Sequence, residues 1–154
     1  LGGFGLAPKF PHEPLLYLFL NQVERRHDSA ALHALEVTLD AMARGGIYDQ
    51  LGGGFCRYSV DQYWQIPHFE KMLYDNGPLL ALYAQAALAT GETLFADTAD
   101  ATADWMLADM QADNGGFFAT RDADSEGHEG LYYLWRTEQV QQLLGEPAGP
   151  PLPR

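Results

Sequence analysis

Between Gly45 and Asn76 the chain reads GGIYDQLGGGFCRYSVDQYWQIPHFEKMLYDN, and His68, Glu70 and Lys71 stand in its last third just after Pro67. A histidine near neutral pH and a carboxyl group tuned by burial are the usual partners in general acid–base chemistry. Two residues apart, His68 and Glu70 face one cleft where the backbone between them is extended. The same two residues also suit a plainer role, an ion-pair cluster that pins the loop. Asp49, Asp61 and Asp75 add carboxylates to the segment, and Asp122, Asp124 and Glu126 form a second acidic group further along. Carboxylates from two such groups, meeting across a pocket, are what glycoside hydrolysis needs, about 5.5 Å apart for retention or about 6.5–9.5 Å for inversion. Epimerisation next to a carbonyl needs only one base and one acid, which His68 and Glu70 also supply. The competing role for each Asp is to serve its own turn by side-chain-to-backbone bonds.

The catalytic candidates are therefore His68, Glu70, Asp49 and Asp124. Around them stand rings with an apolar face and a polar tip, suited to a ligand that is half hydroxyl and half C–H. Tyr48, Tyr58, Trp64 and Trp135 are the platforms singled out. Arg57 suits a carboxylate or phosphate on a substrate, or else an ion pair with Asp61. Lys71, Asp75, Asp122 and Glu126 complete the substrate-binding set. Asp122–Gly127 opens like a calcium loop, but the twelfth position, where such a loop has Glu, is Tyr133, so the pattern fails. His12, His27, His33 and His128 have no ligand spacing. Cys56 is the single cysteine, which excludes an internal disulfide and a Cys-rich zinc site. No metal and no cofactor is expected from these patterns.

Helices must carry these groups. Apolar spacing predicts helices over 13–26, 29–44, 78–91, 93–112 and 137–144. Gly-Gly pairs or Gly stop several of them, and a β-hairpin is expected over 116–135, where aromatic runs flank a Gly-rich acidic turn. Gly-Gly before a bulky residue recurs at Gly2-Gly3-Phe4, Gly45-Gly46-Ile47, Gly53-Gly54-Phe55 and Gly115-Gly116-Phe117. The second and last of these each follow the second helix of a pair. Repeating helical hairpins of this kind stack into a ring whose alternate loops share one rim. The expected class is all-α, part of an α/α toroid of about six hairpins, with short β-hairpins on one rim.

Composition narrows the partners. Of 154 residues, 47% are apolar, enough for one domain with a core. A net charge of −12 with only 9 Lys+Arg offers no footprint for phosphate backbones or anionic membranes, so neither nucleic acid nor membrane is expected. No apolar run approaches a span of about 20 residues. One cysteine suits a reducing compartment, which points to the cytoplasm. The chain opens inside a turn and closes on a Pro-rich stretch. This suggests a piece of a longer protein, with apolar helix faces left bare and prone to self-association.

Three strings carry a family resemblance: GGFGLAPKFP at 2–11, the segment 45–76 with its PHFEKMLYDN, and DADSEG-EGLYYLW at 122–135. They resemble the helical part of the thioredoxin-domain-containing, spermatogenesis-associated protein 20-like family. That part is similar to six-hairpin glycosidases and N-acylglucosamine 2-epimerases, with an (α/α)6 barrel. The resemblance implies a carbohydrate-active module, a hydrolase or an epimerase, taking a sugar-like ligand. It also implies a thioredoxin-like domain upstream of Leu1 in the same full-length chain and further hairpins downstream. The alternative it leaves open is a non-catalytic binding or scaffold module for that attached domain. At position 56 the family often has His where this chain has Cys.

Overall fold

The structure is a computed structural model that describes residues 1–145. Four long helices form its body. Helix α1 spans Glu13–Arg26 and α2 spans Ser29–Ala43; α3 spans Leu73–Thr90 and α4 spans Thr93–Trp105. Two-residue connections force each pair into a helical hairpin, α1 with α2 and α3 with α4. The hairpins stack so that α1 also packs on α3 and α2 on α4. Asp28 starts α2 by accepting from the N–H groups of Ala30 and Ala31 at 2.9 and 3.1 Å, which satisfies two donors that no helical carbonyl reaches.

The predicted stripes meet in one core: Leu16 and Leu20 of α1, Leu35, Leu39 and Met42 of α2, Leu79, Leu82 and Tyr83 of α3, and Phe95 of α4. Tyr83 is wholly buried, and its hydroxyl donates to the Leu39 carbonyl at 2.8 Å, so the second hairpin is tied to the first by a polar bond inside the core. Loop residues complete it. Ile47, Phe55 and Trp64 are also fully buried, so the 45–66 loop is half core rather than a surface excursion.

Helix α3 begins at Leu73, five residues before the predicted start at Pro78. Pro removes one helical N–H and usually marks a first turn. Here Asn76 holds the extra turn in place. Its side chain is fully buried, accepts from the Phe55 N–H at 2.7 Å, and donates to the carbonyls of Phe55 and Met72, each at 2.9 Å. At the other end of the second hairpin, α4 passes at Met106–Met110 into a π-helical turn, where the sequence predicts unbroken α-helix to Ala112. The wider turn sets Asp109 within 3.8 Å of Arg121.

Six two-residue strands lie beyond the helix ends: β1 (Tyr58–Ser59), β2 (Pro67–His68), β3 (Lys71–Met72), β4 (Thr120–Arg121), β5 (Asp124–Ser125) and β6 (His128–Glu129). They pair antiparallel as β1 with β2, β3 with β4 and β5 with β6. The expected hairpin over 116–135 shrinks to β5–β6. Its leading edge turns away to pair with β3 of the earlier segment, Lys71 opposite Arg121 and Met72 opposite Thr120. The reason is an open edge: the Leu73 N–H reaches the Ala119 carbonyl at 2.9 Å, and β3 has no partner within its own segment. The short fifth helix, α5 (Thr137–Leu144), matches its predicted bounds and buries none of its residues.

The Gly-Gly pairs are alike in sequence but not in use. A Cβ on Gly46 would stand 2.1 Å from the Gln65 carbonyl oxygen, so the pair after α2 exists to let the 64–65 loop close on the helix end. The pair at Gly115-Gly116 meets no such backbone.

Candidate functional site

A polar cluster gathers where β1, β2 and the start of α3 meet the β5–β6 hairpin. Register in the β1–β2 pair places Tyr58 opposite His68. The Tyr58 ring stacks on the imidazole with centroids 4.8 Å apart and planes 14° apart, and Phe10 packs tilted against Tyr58 at 5.0 Å. The His68 Nδ1 lies 2.7 Å from Glu129 Oε1 of β6, and its Nε2 lies 3.9 Å from Glu70 Oε2. Glu70 in turn accepts from Arg57 Nη1 at 3.1 Å, while the Arg57 N–H donates to the Glu70 carbonyl at 2.8 Å. The predicted alternative partner of Arg57, Asp61, is engaged elsewhere. It accepts from the N–H groups of Tyr63, Gln65 and Ile66 and so closes its own loop.

Behind this pair stand Asp75, in the first turn of α3, and Glu13, at the start of α1. Each has a buried carboxyl oxygen with no hydrogen-bond partner, Asp75 Oδ2 and Glu13 Oε1. Burial pushes the Asp75 carboxyl up to about 7; repulsion from Glu13 and Glu70 adds to the rise and Arg57 pulls against it. Burial also pushes Glu13 up, against its own backbone N–H and His12. An unpartnered buried oxygen is costly on an anion and far less so on a neutral carboxyl, so the same burial that strands these oxygens favours the protonated form. Glu13 and Glu129 were not among the sequence candidates. Glu129 lies inside the DADSEG-EGLYYLW string, so a signal existed. Glu13 carries none, because only the stacking of α1 on α3 brings it to Asp75.

Several candidates are placed elsewhere. Lys71 is fully buried; its ammonium donates to Asp49 Oδ2 at 2.9 Å and to the Gly53 carbonyl at 2.7 Å, with the Trp105 and Tyr133 ring centroids at 4.8 and 4.9 Å. Asp49 also accepts from the N–H groups of Leu51 and Gly52 at 3.0 and 2.9 Å. Burial alone would raise Asp49; the Gly52 N–H, Lys71 and the Leu51 N–H outweigh it and hold the carboxyl below its usual range. The two side chains thus neutralise each other inside the packing, which is a structural arrangement rather than a free acid and a free cation. Trp64 offers no stacking face either: it is fully buried, a Cβ on Gly3 would stand 2.5 Å from its ring, and Lys9 Nζ covers it at 4.5 Å. Tyr48 is buried on Phe55 at 4.8 Å. Cys56 is buried, and that burial pushes its thiol up to about 12, a poor setting for a thiolate.

The acidic group of the later hairpin lines a second place. Asp122, Asp124, Asp109, Arg121 and Tyr132 border a cavity of about 300 Å³. A neighbouring cavity of about 260 Å³ takes in Asp49 and shares Asp109, Tyr132 and Tyr133. Trp135 is half-exposed and borders a further hollow with Asp49 and Tyr132. Asp122 spends one oxygen on the Asp124 N–H at 3.1 Å, and Glu126 sits in the hairpin turn with φ 53°. Asp49 and Asp124 therefore border adjacent hollows on one wall, and His68 and Glu70 form a separate cluster joined to that wall through Glu129, since Glu129 pairs with Asp124 in the β5–β6 register. Among the described residues no group of three His, Cys, Asp or Glu is arranged to hold a metal ion, and no helix is long and apolar enough to cross a membrane.

Two stacked helical hairpins with strand pairs beyond the helix ends define the class: part of an α/α barrel. Solved structures share it. The cellobiose 2-epimerase from Spirochaeta thermophila superposes with a TM-score of 0.69 at 23% identity, covering 79% of this chain and 33% of that one. A sugar epimerase from a ruminal bacterium gives 0.68 at 14% identity, with the same coverage. The family 76 glycoside hydrolase (mannosidase) from Bacteroides thetaiotaomicron gives 0.61 at 18%, covering 73% and 30%. No protein-family model matches the chain. In sequence the chain is homologous to spermatogenesis-associated protein 20, being 44% identical to the mouse protein and 42% to the human protein over 95% of its own length. It spans about 20% of the length of those relatives.

Proposed function

We propose that this chain supplies part of a carbohydrate-active site in which the rim cluster performs acid–base chemistry on a sugar. The observation that carries the reading is the pairing of two unlike groups in one cluster. His68 is held between two carboxylates and against a ring, and a few residues away Asp75 keeps a carboxyl that is still largely protonated as pH approaches 7. Titratable groups whose surroundings set them to different tasks are how one site runs acid and base together. His68 then removes a proton from a carbon next to a carbonyl, or from water. Asp75 donates to the oxygen on which charge develops, and Arg57 steadies that oxygen from the Glu70 side. The epimerases and the mannosidase that share the fold support a sugar-like ligand, acted on by epimerisation or by hydrolysis. A thioredoxin-like domain attached in the full-length chain, and a cytoplasmic setting, belong to the same proposal.

The test follows solvent deuterium into the C2 position of aldoses by proton NMR, with glucose, mannose, N-acetylglucosamine and cellobiose as the panel, in the full-length protein that carries this segment. A base that acts next to the carbonyl exchanges that proton. His68→Ala should lower exchange by about 100-fold or more, the usual reach of general acid–base catalysis. If no sugar exchanges, none is hydrolysed, and no sugar perturbs the His68 or Tyr58 resonances, the cluster is a structural ion-pair network and the module a scaffold.

A further inference from the structure

We propose that the β5–β6 hairpin sets the tautomer of the rim histidine: Glu129 holds the proton on Nδ1 of His68 and leaves Nε2 as the basic nitrogen. The inference rests on the reading of His68 as the base and adds the residue that orients it. A carboxylate only accepts hydrogen bonds, so the 2.7 Å contact between Glu129 Oε1 and His68 Nδ1 requires the proton to sit on Nδ1. The lone pair of the neutral ring is then on Nε2, 3.9 Å from Glu70 Oε2. A proton taken up at Nε2 creates an imidazolium between two carboxylates, and Arg57 holds one of these, Glu70, by Oε2 at 3.1 Å. The groups that face the ring are Glu129 from β6, Glu70 and Arg57 from the two edges of the β1–β2 pair, and the Tyr58 ring stacked on it. Asp75 of α3 and Glu13 of α1 lie behind the Arg57–Glu70 pair.

What brings Glu129 to the histidine is a backbone fit. The next residue, Gly130, has φ +72°, and a Cβ there would stand 2.5 Å from two ring carbons of Phe69, the residue that follows His68. Phe69 is held in turn by Tyr133, stacked at 5.4 Å and 10°, and the Gly130 N–H is tied to the Ala123 carbonyl at 2.8 Å. The hairpin thus rests its backbone on the ring next to the histidine, and a side chain at 130 lifts it. Glu129 acts through His68 and is a positioning residue.

The experiment is long-range proton–nitrogen NMR of the protein labelled with nitrogen-15 histidine, at about pH 8 where an ordinary imidazole is neutral, with the His68 signals assigned by their loss in His68→Ala. Wild type should show the Nδ1–H tautomer. Glu129→Ala should lose it in favour of the Nε2–H form. Gly130→Ala should cause the same loss while the carboxylate is still present. Glu129→Gln, whose amide oxygen still accepts, should keep the Nδ1–H form, and Glu138→Gln on α5 should change nothing. A wild-type protein in the Nε2–H form overturns the inference without any variant, and so does a Glu129→Ala protein that keeps Nδ1–H. The spectra need no sugar. A histidine held on Nδ1 in a protein without sugar turnover upholds this inference and sinks the catalytic reading, whereas turnover with an Nε2–H histidine does the reverse.

Discussion

Asp49 and Lys71 make the sharpest case for a graded perturbation, because the same pair is predicted to respond unequally from its two sides. Lys71 is fully buried, and among the described residues its only anionic hydrogen-bond partner is Asp49, at 2.9 Å. Replacing Asp49 with Asn leaves a charged ammonium in the core with neutral acceptors and two ring faces but no counter-charge. Breaking a buried ion pair in this way costs about 3–5 kcal/mol, since a buried charge is left uncompensated. Replacing Lys71 with Met is milder. Methionine fills the same channel between Trp105 and Tyr133, and Asp49 keeps two backbone N–H donors and 17% side-chain exposure. About 1–2 kcal/mol is expected there. For a chain of this length 1 kcal/mol moves Tm by about 2–4 °C. Calorimetry should therefore show Asp49→Asn melting about 6–20 °C below wild type, and Lys71→Met about 2–8 °C below. The double variant should recover most of the Asp49→Asn loss, because the stranded charge is gone. The pair also gives an acid limb. Asp49 is held below its ordinary value, so its contribution is complete above the unfolded carboxyl range and is lost as pH falls through the lower folded value; this limb disappears in Asp49→Asn. A double variant no more stable than Asp49→Asn, or equal losses from both single variants, would refute the reasoning.

Two further predictions follow from buried polar groups. Asn76→Ala removes the partner of the Phe55 N–H and two carbonyls inside the core, which should cost about 3 kcal/mol in urea unfolding and fray the first turn of α3; an amide-exchange pattern unchanged at 73–77 would count against that role. Asp75 has its folded value raised to about 7, so the folded state holds a proton that the unfolded state has released. Stability from this group is therefore lost as pH rises from the ordinary carboxyl range through about 7, and Asp75→Asn should flatten the fall in urea midpoint between about pH 5 and about pH 8. A wild type equally stable at both values removes the basis for a protonated Asp75.

Sequence legibility followed the range of the forces involved. Helices α1 and α5 kept their predicted bounds, because period, capping residues and stops are local signals. The start of α3 was misplaced at Pro78 because the compensation comes from Asn76 bonding to Phe55, 21 residues away. The hairpin that local signals predict over 116–135 is shortened because β4 pairs with β3 instead. Rings were the least legible class. Trp64 and Tyr58 lie six residues apart in the same aromatic segment, yet one is wholly buried and the other stacks on His68.

By itself the sequence determined a repeat of helical hairpins punctuated by Gly-Gly turns, the apolar stripes that make their core, and the segment where reactive side chains concentrate. It named His68, Glu70 and Arg57 from type and spacing. Only the tertiary structure decided which charges cancel and which remain available. Lys71 and Asp49 neutralise each other within the packing, Asp75 is isolated near Glu13 by the stacking of α1 on α3, and His68 receives Glu129 from a hairpin 61 residues away. The reason is physical: helix formation depends on neighbours three or four residues off, whereas the state of a titratable group depends on burial and on charges within a few ångström, which the chain sets only once it has folded back on itself.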